Sequence, residues 1–271
     1  MFEFGFGRKA SDDRLVRVER PADAPKPVVE LSRRADVDLS GLDRLGVEVS
    51  DLNRFVIVNG GNEAESDLVA GEYEGGRKLW ESSVDLVQYC ASEKLSFAGK
   101  RVLELGCGHA LPSIFAAQQG AAELSLLDFN EDVLRNITEP NLKLNGLAAS
   151  ESSCKVRLFH GDWAALPDLL GDEERFDIIL SAETVYCPSS MRSLARTILE
   201  LLSIKNATAL VAGKVYYFGV GGGTIEFKRT IKLLALEEGI PVHVSSGQRI
   251  EDGESNIREI IRISTQELPG L

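Results

Sequence analysis

The sequence predicts an α/β fold in which a mostly parallel sheet carries helices on both faces and ends in an antiparallel hairpin. From residue 101 onward, short apolar runs typical of buried strands alternate with stretches of helical periodicity. This pattern is expected for parallel strands joined by helices. The last two predicted strands have no helix between them, so they pair most simply as a hairpin. A chain of 271 residues can form one large domain or two small ones.

Each predicted element has a local signal. Apolar residues at steps of three or four predict a helix over residues 79–95. Pro112 at a first turn and Gly120 at an end delimit the next helix. Asn130 is the expected N-cap of a third helix, which Pro140 is expected to interrupt. The predicted strands of the parallel sheet cover residues 101–105, 123–128, 155–159, 176–180 and 207–217. The two hairpin strands are expected to start at residues 241 and 257. Further helices are predicted over residues 189–202 and 227–236.

The first 70 residues differ from the rest of the chain in their prolines and in the spacing of their apolar residues. Pro21, Pro25 and Pro27 interrupt them, and one apolar run occupies residues 54–58. We expect residues 1–70 to form a partly extended or disordered N-terminal extension that adds one or two strands. Residues 71–271 are expected to form the main domain.

Composition and charge exclude several classes of protein. Hydrophobic residues make up 44% and charged residues 27%, which excludes wholesale disorder. The net charge of −12 disfavours direct nucleic-acid binding through phosphates and favours a basic partner, although solubility alone also explains it. No apolar run is long enough to span a membrane. The four cysteines are widely spaced, so neither a disulfide framework nor a metal site is expected, and the thiols are expected to be reduced.

The strongest signal for a ligand site is Gly106-Cys107-Gly108 at the end of the first strand of the main domain. Glycine lets backbone approach a ligand closely. Asp128 ends the next strand, where a carboxylate can accept hydrogen bonds from a ribose diol. Leu111 replaces the third glycine of a dinucleotide motif, and an anionic Glu104 beside the loop disfavours a pyrophosphate. A dinucleotide, an adenosyl ligand such as S-adenosyl-L-methionine, and a tight turn without ligand all stay open.

Several motifs carry a family resemblance. The segments 104–108, 127–130 and 161–163 resemble the successive cofactor motifs of the seven-β-strand S-adenosylmethionine-dependent methyltransferases. More narrowly, the chain resembles the protein-histidine methyltransferases that modify a large-subunit ribosomal protein. The segments that carry this narrower resemblance are residues 73–81, 138–141, 181–186 and 214–223, within a region from about residue 66 to the C-terminus.

The resemblance implies a Rossmann-like, seven-stranded class I methyltransferase fold and S-adenosyl-L-methionine as cofactor. The methionine end would lie against Leu79, Trp80, Glu81, Ser82, Ser83, Glu104, Gly106, Cys107 and Gly108. The ribose and adenine would be held by Leu127, Asp128, Phe129, Gly161, Asp162 and Trp163, and the reaction centre would be lined by Ser181 and Ala182. His109 and Ala110 depart from the family pattern, which leaves the role of His109 open.

The resemblance also implies an acceptor and catalytic residues. Related lysine methyltransferases carry Asp-x-x-Tyr after the fourth strand, where this chain has Glu183-Thr-Val-Tyr186, and this difference favours histidine. Neutral imidazole is already nucleophilic, with a pKa of about 6.5. The enzyme must therefore mainly select its tautomer and approach. Glu183 is predicted to orient the ring, with Tyr186 beside it. The residues predicted to contact the substrate are Tyr216, Tyr217, Gly219 and Gly221.

The predicted function is methyl transfer from S-adenosylmethionine to a histidine of a basic ribosomal protein. We expect a monomeric protein of the cytoplasm and nucleus, without membrane or direct nucleic-acid contacts. Three alternatives stay open. One is a lysine methyltransferase of the same fold, the second a nicotinamide-dependent oxidoreductase, and the third a non-enzymatic chaperone for a basic ribosomal protein.

Overall fold

A single sheet organises the molecule. The computed structural model describes residues 25–50, 53–59, 74–148, 153–253 and 256–265. Within these ranges the sheet has eight strands in the order β1-β6-β5-β4-β7-β8-β10-β9. The strands of the chain are β1 (Val29–Leu31), β2 (Arg44–Ser50), β3 (Asn53–Val58), β4 (Arg101–Leu105), β5 (Glu123–Asp128), β6 (Lys155–His160), β7 (Ile178–Ala182), β8 (Thr208–Lys214), β9 (Val242–Ile250) and β10 (Arg258–Thr265).

The pairing confirms the predicted fold class. The five central strands, from β6 across to β8, pair in parallel. The C-terminal strands β9 and β10 pair antiparallel to each other, and β10 pairs antiparallel to β8. The predicted hairpin therefore extends the parallel sheet on one side.

Helices cover both faces of the sheet. They are α1 (Glu81–Ser92), α2 (Leu111–Gln118), α3 (Glu131–Val133), α4 (Glu139–Leu144), α5 (Leu166–Leu170), α6 (Pro188–Leu201) and α7 (Thr224–Glu237). Successive residues of a strand point to opposite faces, so Val102 packs in the core beneath α1 and α2, whereas Leu103 packs beneath α6 and α7. Continuous apolar strands such as β4 follow from this double coverage.

The third predicted helix is irregular at a different place from the one expected. A π-helical turn, Leu134–Thr138, joins α3 to α4. Pro140 lies in the first turn of α4 and does not interrupt it. Proline lacks the N–H that a continuous α-helix would use, and the wider π turn before it removes the conflict.

The region before the main domain contributes three strands within its described part. β1 pairs antiparallel with β6 at the edge of the main sheet. β2 and β3 form a separate antiparallel hairpin, and β3 contains the apolar run that predicted a strand. The motif residue Tyr73 lies outside the described residues. None of the helices described here is long and apolar enough to cross a membrane.

Candidate active site

A cleft opens where β4, β5 and β7 end, which is where parallel α/β sheets bind ligands. The space inside the cleft and its open mouth is about 560 Å³. The lining residues that the sequence predicted are Leu79, Trp80, Ser83, Gly106, Cys107, Gly108, Asp128, Phe129, Trp163, Ala182, Glu183 and Tyr186. The cleft thus brings together residues from across the predicted motifs.

The Gly106-Cys107-Gly108 turn is held close to neighbouring backbone and side chains. Gly106 has φ of +70°, and a Cβ there would lie 2.7 Å from Cγ2 of Thr184. The amides of Gly106 and Cys107 both donate to the carbonyl of Leu127 at 2.9 Å. Burial raises the pKa of the Cys107 thiol well above its ordinary value, so this cysteine stays neutral. The turn therefore offers closely packed backbone and no thiolate.

Asp128 fastens the glycine turn to the start of the next helical region. Its Oδ2 accepts from the amide of Gly108 at 2.9 Å and its Oδ1 from the amide of Asn130 at 3.1 Å. Burial raises the pKa of Asp128 to about 6, against the lowering effect of these two hydrogen bonds. The group is mainly ionised at neutral pH and lines the cleft.

The segment 138–141, which carried part of the family resemblance, hydrogen-bonds to the backbone of the glycine turn and of the residue after it. Thr138 Oγ1 donates to the carbonyl of Gly108 at 2.6 Å, and Asn141 Nδ2 donates to the carbonyl of His109 at 3.1 Å. Asn141 Oδ1 accepts from the amide of Val58 at 2.6 Å. His109 itself lines the cleft, and burial lowers its pKa to about 4, so it is neutral.

Glu183 is held in the cleft by two hydroxyl groups. Its Oε1 accepts from Ser82 Oγ, and its Oε2 accepts from the hydroxyl of Tyr217 at 2.5 Å. Its φ of +57° is unusual for a residue with a side chain and marks local strain. Burial raises the pKa of Glu183, while the hydrogen bonds and the nearby Lys214 ammonium act in the opposite direction.

The opposite wall comes from the segment just before α1. Trp80 Nε1 donates to the carbonyl of Gly75 at 3.0 Å, and the Lys78 ammonium lies 4.5 Å from the Trp80 ring centroid. The hydroxyl of Tyr186 hydrogen-bonds to Glu74. The lining residues that the sequence did not predict as site residues are Glu74, Gly75, Gly76, Lys78, His109 and Thr184. Glu74, Gly75, Gly76 and Lys78 belong to the segment 73–81, which carried the family resemblance without assigning these side chains. His109 directly follows the segment 104–108, and Thr184 lies within 181–186.

Some predicted site residues do not line the cleft. The predicted site residues that do not line the cleft are Glu81, Ser82, Glu104, Leu127, Gly161, Asp162, Ser181, Tyr216, Tyr217, Gly219 and Gly221. Ser82 and Tyr217 act through Glu183, and Ser181 Oγ donates to the carbonyl of Leu105 at 2.9 Å. Asp162 caps a short 3₁₀ turn by accepting from the amide of Ala164 at 3.0 Å.

Glu104 is not the anionic group that the sequence predicted beside the glycine turn. Its Oε2 accepts from the amide of Ser113 at 3.0 Å and from the Ser113 hydroxyl. Burial raises the pKa of Glu104 to about 8, so it is mostly neutral at pH 7 and supplies no anionic charge to the loop. Carboxyl groups of the cleft lining are instead Glu74, Asp128 and Glu183.

The loop of residues 215–223, which we call the glycine-rich loop, folds onto the strand end that bears Glu183. The amide of Gly223 donates to the carbonyl of Val185 at 2.8 Å. Gly222 has φ of +72°, and a Cβ there would lie 2.5 Å from the carbonyl oxygen of Tyr186. The loop exposes Tyr216 and Phe218, whose rings contact edge to face with centroids 5.0 Å apart. β8 therefore ends at Lys214 and not at residue 217.

A family model described as lysine methyltransferase matches residues 65–216. This match covers more than half of the chain. The chain belongs to this family. Its sheet is also similar to that of a SAM-dependent methyltransferase candidate from Streptococcus mutans, with 17% identity and a TM-score of 0.54 over 81% of this chain and 55% of that one. At this identity the likeness shows the fold alone.

Several relatives carry names that specify an acceptor, histidine in most of them and lysine in a calmodulin-lysine N-methyltransferase of Arabidopsis thaliana that is 34% identical over 160 residues, 59% of this chain and 49% of that one. A histidine protein methyltransferase 1 homolog of Dictyostelium discoideum is 39% identical over 202 residues, 74% of this chain and 62% of that one. The homolog of Bos taurus is 39% identical over 199 residues, 65% of this chain and 53% of the relative. The chain thus spans less than two thirds of either relative. The family description and the names of the relatives point to different acceptor residues.

The family and the fold imply S-adenosylmethionine as cofactor, and the cleft fits it. The glycines at 76, 106 and 108 bring backbone to the cleft wall, and Asp128 lines the same cleft. The charged lining has three carboxyl groups against the one ammonium of Lys78. This balance suits a ligand with a sulfonium and an amino group and disfavours a pyrophosphate. Among the side chains that the structure describes, no group of three His, Cys, Asp or Glu could hold a metal ion.

Proposed function

We propose that the chain is a protein-histidine N-methyltransferase. The observation that carries the proposal is Glu183, a carboxyl group fixed by Ser82 and Tyr217 at the cofactor cleft. A carboxylate in this position can accept the N–H of one imidazole nitrogen and leave the lone pair of the other nitrogen free to react. The names of the relatives support the same acceptor.

The chemistry needs positioning more than a strong base. S-adenosylmethionine, when bound, supplies a methyl group on a positively charged sulfur. Glu183 holds a neutral imidazole so that the free nitrogen forms the new N–CH₃ bond while the C–S bond breaks and its electron pair stays on sulfur. The ring becomes cationic, and Glu183 stabilises that charge until the ring N–H proton passes to solvent. Burial of the site excludes water that would compete for these hydrogen bonds.

Lysine is the second candidate, because the family model is described for lysine. An ammonium group must lose a proton before it can attack, which requires a base. Both oxygens of Glu183 already accept a hydrogen bond, and these bonds act against the rise in pKa caused by burial. The names of the two histidine-specific relatives favour histidine over lysine.

A basic ribosomal protein is the proposed substrate. The net charge of −12 favours approach of a basic partner. The exposed rings of Tyr216 and Phe218 lie on the same loop as Tyr217, which contacts Glu183. They offer a docking surface for the segment that flanks the acceptor. We propose that the protein acts as a monomer in the cytoplasm and nucleus.

The test is incubation of purified protein with labelled S-adenosylmethionine and isolated ribosomal proteins, followed by amino-acid analysis of the labelled product. We expect label in methylhistidine, and we expect Glu183→Gln to reduce transfer about 100-fold while S-adenosylhomocysteine still binds. Label only in methyllysine would replace histidine with the second candidate. Full biological activity of an Asp128→Ala variant that no longer binds cofactor would instead favour the chaperone.

A further inference from the structure

A short segment far from the family motifs contacts Phe129 and the turn at residues 161–162, where the family resemblance places the adenosine. We propose that residues 26–28, which we call the strap, support the cofactor site. They fix Phe129 and the turn at residues 161–162, which directly precedes the cleft residue Trp163, so that the cleft can receive adenosine. The proposal rests on S-adenosylmethionine as the ligand of this cleft and does not depend on the acceptor. The strap lies outside residues 65–216, the region matched by the family model.

Lys26 holds Phe129 at two points. Its ammonium donates to the carbonyl of Phe129 at 3.1 Å and lies 4.5 Å from the centroid of the Phe129 ring. Phe129 follows the ribose-binding Asp128 and lines the cleft. A cation above one face of an aromatic ring is attracted by its π electrons and restricts the orientation of the ring. Lys26 therefore fixes a ring at the cleft wall from the outside.

The strap also explains why residue 161 is glycine. The amide of Asp162 donates to the carbonyl of Lys26 at 3.2 Å. Gly161 has φ of +134°, and a Cβ there would lie 2.4 Å from the carbonyl oxygen of Pro27 and 2.9 Å from Cα of Val28. The glycine of this motif is thus required by the backbone that crosses it. The strap and the turn form one packed unit.

Strand pairing and core packing keep the strap in place. Val28 is buried in the same apolar cluster as Leu127, Phe159 and Trp163. The next three residues form β1, which pairs with β6, and Glu30 makes a two-bond ion pair with Arg157 at 2.9 and 3.0 Å. The wall of the adenosine end is therefore part of the sheet edge.

The experiment measures the dissociation constants of two ligands by calorimetry. S-adenosylhomocysteine and 5′-methylthioadenosine share adenosine, but only the first carries the amino-acid end. We expect Lys26→Met to weaken both by the same factor, about tenfold. Lys26→Arg keeps the cation and should restore binding to within about twofold. The matched control is Lys155→Met, which removes an exposed ammonium paired with Glu123 at 3.3 Å at the far end of β6.

The outcomes separate the strap from the cofactor assignment. Wild-type protein that binds neither ligand would overturn the cofactor assignment itself. Binding by wild type with unchanged constants in Lys26→Met would overturn the strap alone, as would a loss confined to S-adenosylhomocysteine. Gly161→Ala provides a second variant, because its Cβ must displace the strap. It should weaken both ligands at least as much as Lys26→Met, and unchanged affinity would also contradict the proposal.

Discussion

The hydroxyl of Tyr217 donates a hydrogen bond of 2.5 Å to Oε2 of Glu183 and so connects the glycine-rich loop to the cleft. The hydroxyl oxygen of Tyr217 in turn accepts a hydrogen bond from the amide of Lys214 at 3.1 Å. Burial raises the pKa of Tyr217 well above its ordinary value, so the hydroxyl stays protonated and remains a donor. Tyr217 is therefore a positioning residue for Glu183.

Tyr217→Phe should lower kcat/KM for protein substrate about tenfold while the affinity for S-adenosylhomocysteine stays unchanged. The Tyr217 hydrogen bond lowers the pKa of Glu183, so its loss raises that pKa. The acidic limb of the kcat/KM profile should consequently move to higher pH. The control is Tyr89→Phe, at a buried tyrosine of α1 outside the cleft lining. An unshifted profile in Tyr217→Phe would contradict this role.

Gly106→Ala should abolish cofactor binding. Its Cβ would meet Thr184 at 2.7 Å, and φ is +70°. Gly99 has the same φ of +70° with nothing within 4 Å of an added Cβ, so Gly99→Ala carries the backbone strain without the clash. Gly99→Ala should lose about 1–2 kcal/mol of unfolding free energy, and Gly106→Ala should lose more because of the clash. Calorimetry should detect ligand binding only in Gly99→Ala, and equal affinities would show that Gly106 is not needed for the cleft.

Asp128 should make the ligand-free protein less stable as pH rises through the range from about 4 to 6. Its folded pKa of about 6 lies above the ordinary 3.8, so the folded state binds the proton more tightly. The contribution to stability is complete below pH 4 and is lost by pH 7, and it amounts to about 3 kcal/mol. Denaturant unfolding at pH 5, 6 and 7 measures it. Asp128→Asn should reduce this slope and weaken cofactor binding, and a slope equal to that of wild type would refute the assignment.

Gly222→Ala should reduce methyl transfer strongly, because its Cβ would meet the carbonyl oxygens of Tyr186 at 2.5 Å and Val185 at 2.7 Å. The strand end that bears Glu183 would have to shift. Gly239 has φ of +68° and nothing within 4 Å of an added Cβ, which makes Gly239→Ala the matched control. Single-turnover rates with saturating cofactor compare the two. Similar rates would mean that the glycine-rich loop does not position Glu183.

The central strands were predictable because their signal is local. β4 and β5 have the bounds expected from their apolar runs, since a strand covered on both faces is apolar throughout. β1 has only three residues, and no sequence period identifies it. It forms because β6 offers an unpaired edge, which only the folded sheet provides.

The site was predictable at its glycines and Asp128 but not at its hydrogen bonds. Ser82 and Glu183 lie 101 positions apart in the chain, so no local pattern pairs them. The same limit applies to Tyr217, whose contact with Glu183 no local pattern indicates. Its predicted contact with substrate stays a prediction. Burial changed the role of Glu104, because a carboxyl group enclosed with Ser113 keeps its proton at pH 7.

The pairing of β1 with β6 also covers three of the six residues of β6. An uncovered edge strand presents free backbone donors and acceptors that can template pairing with another chain. β1 pairs with Leu158, Phe159 and His160 of β6. The ion pair of Glu30 with Arg157 places charged groups at the preceding residue of β6. Loss of residues 25–31 would expose this edge and favour aggregation before it unfolded the sheet.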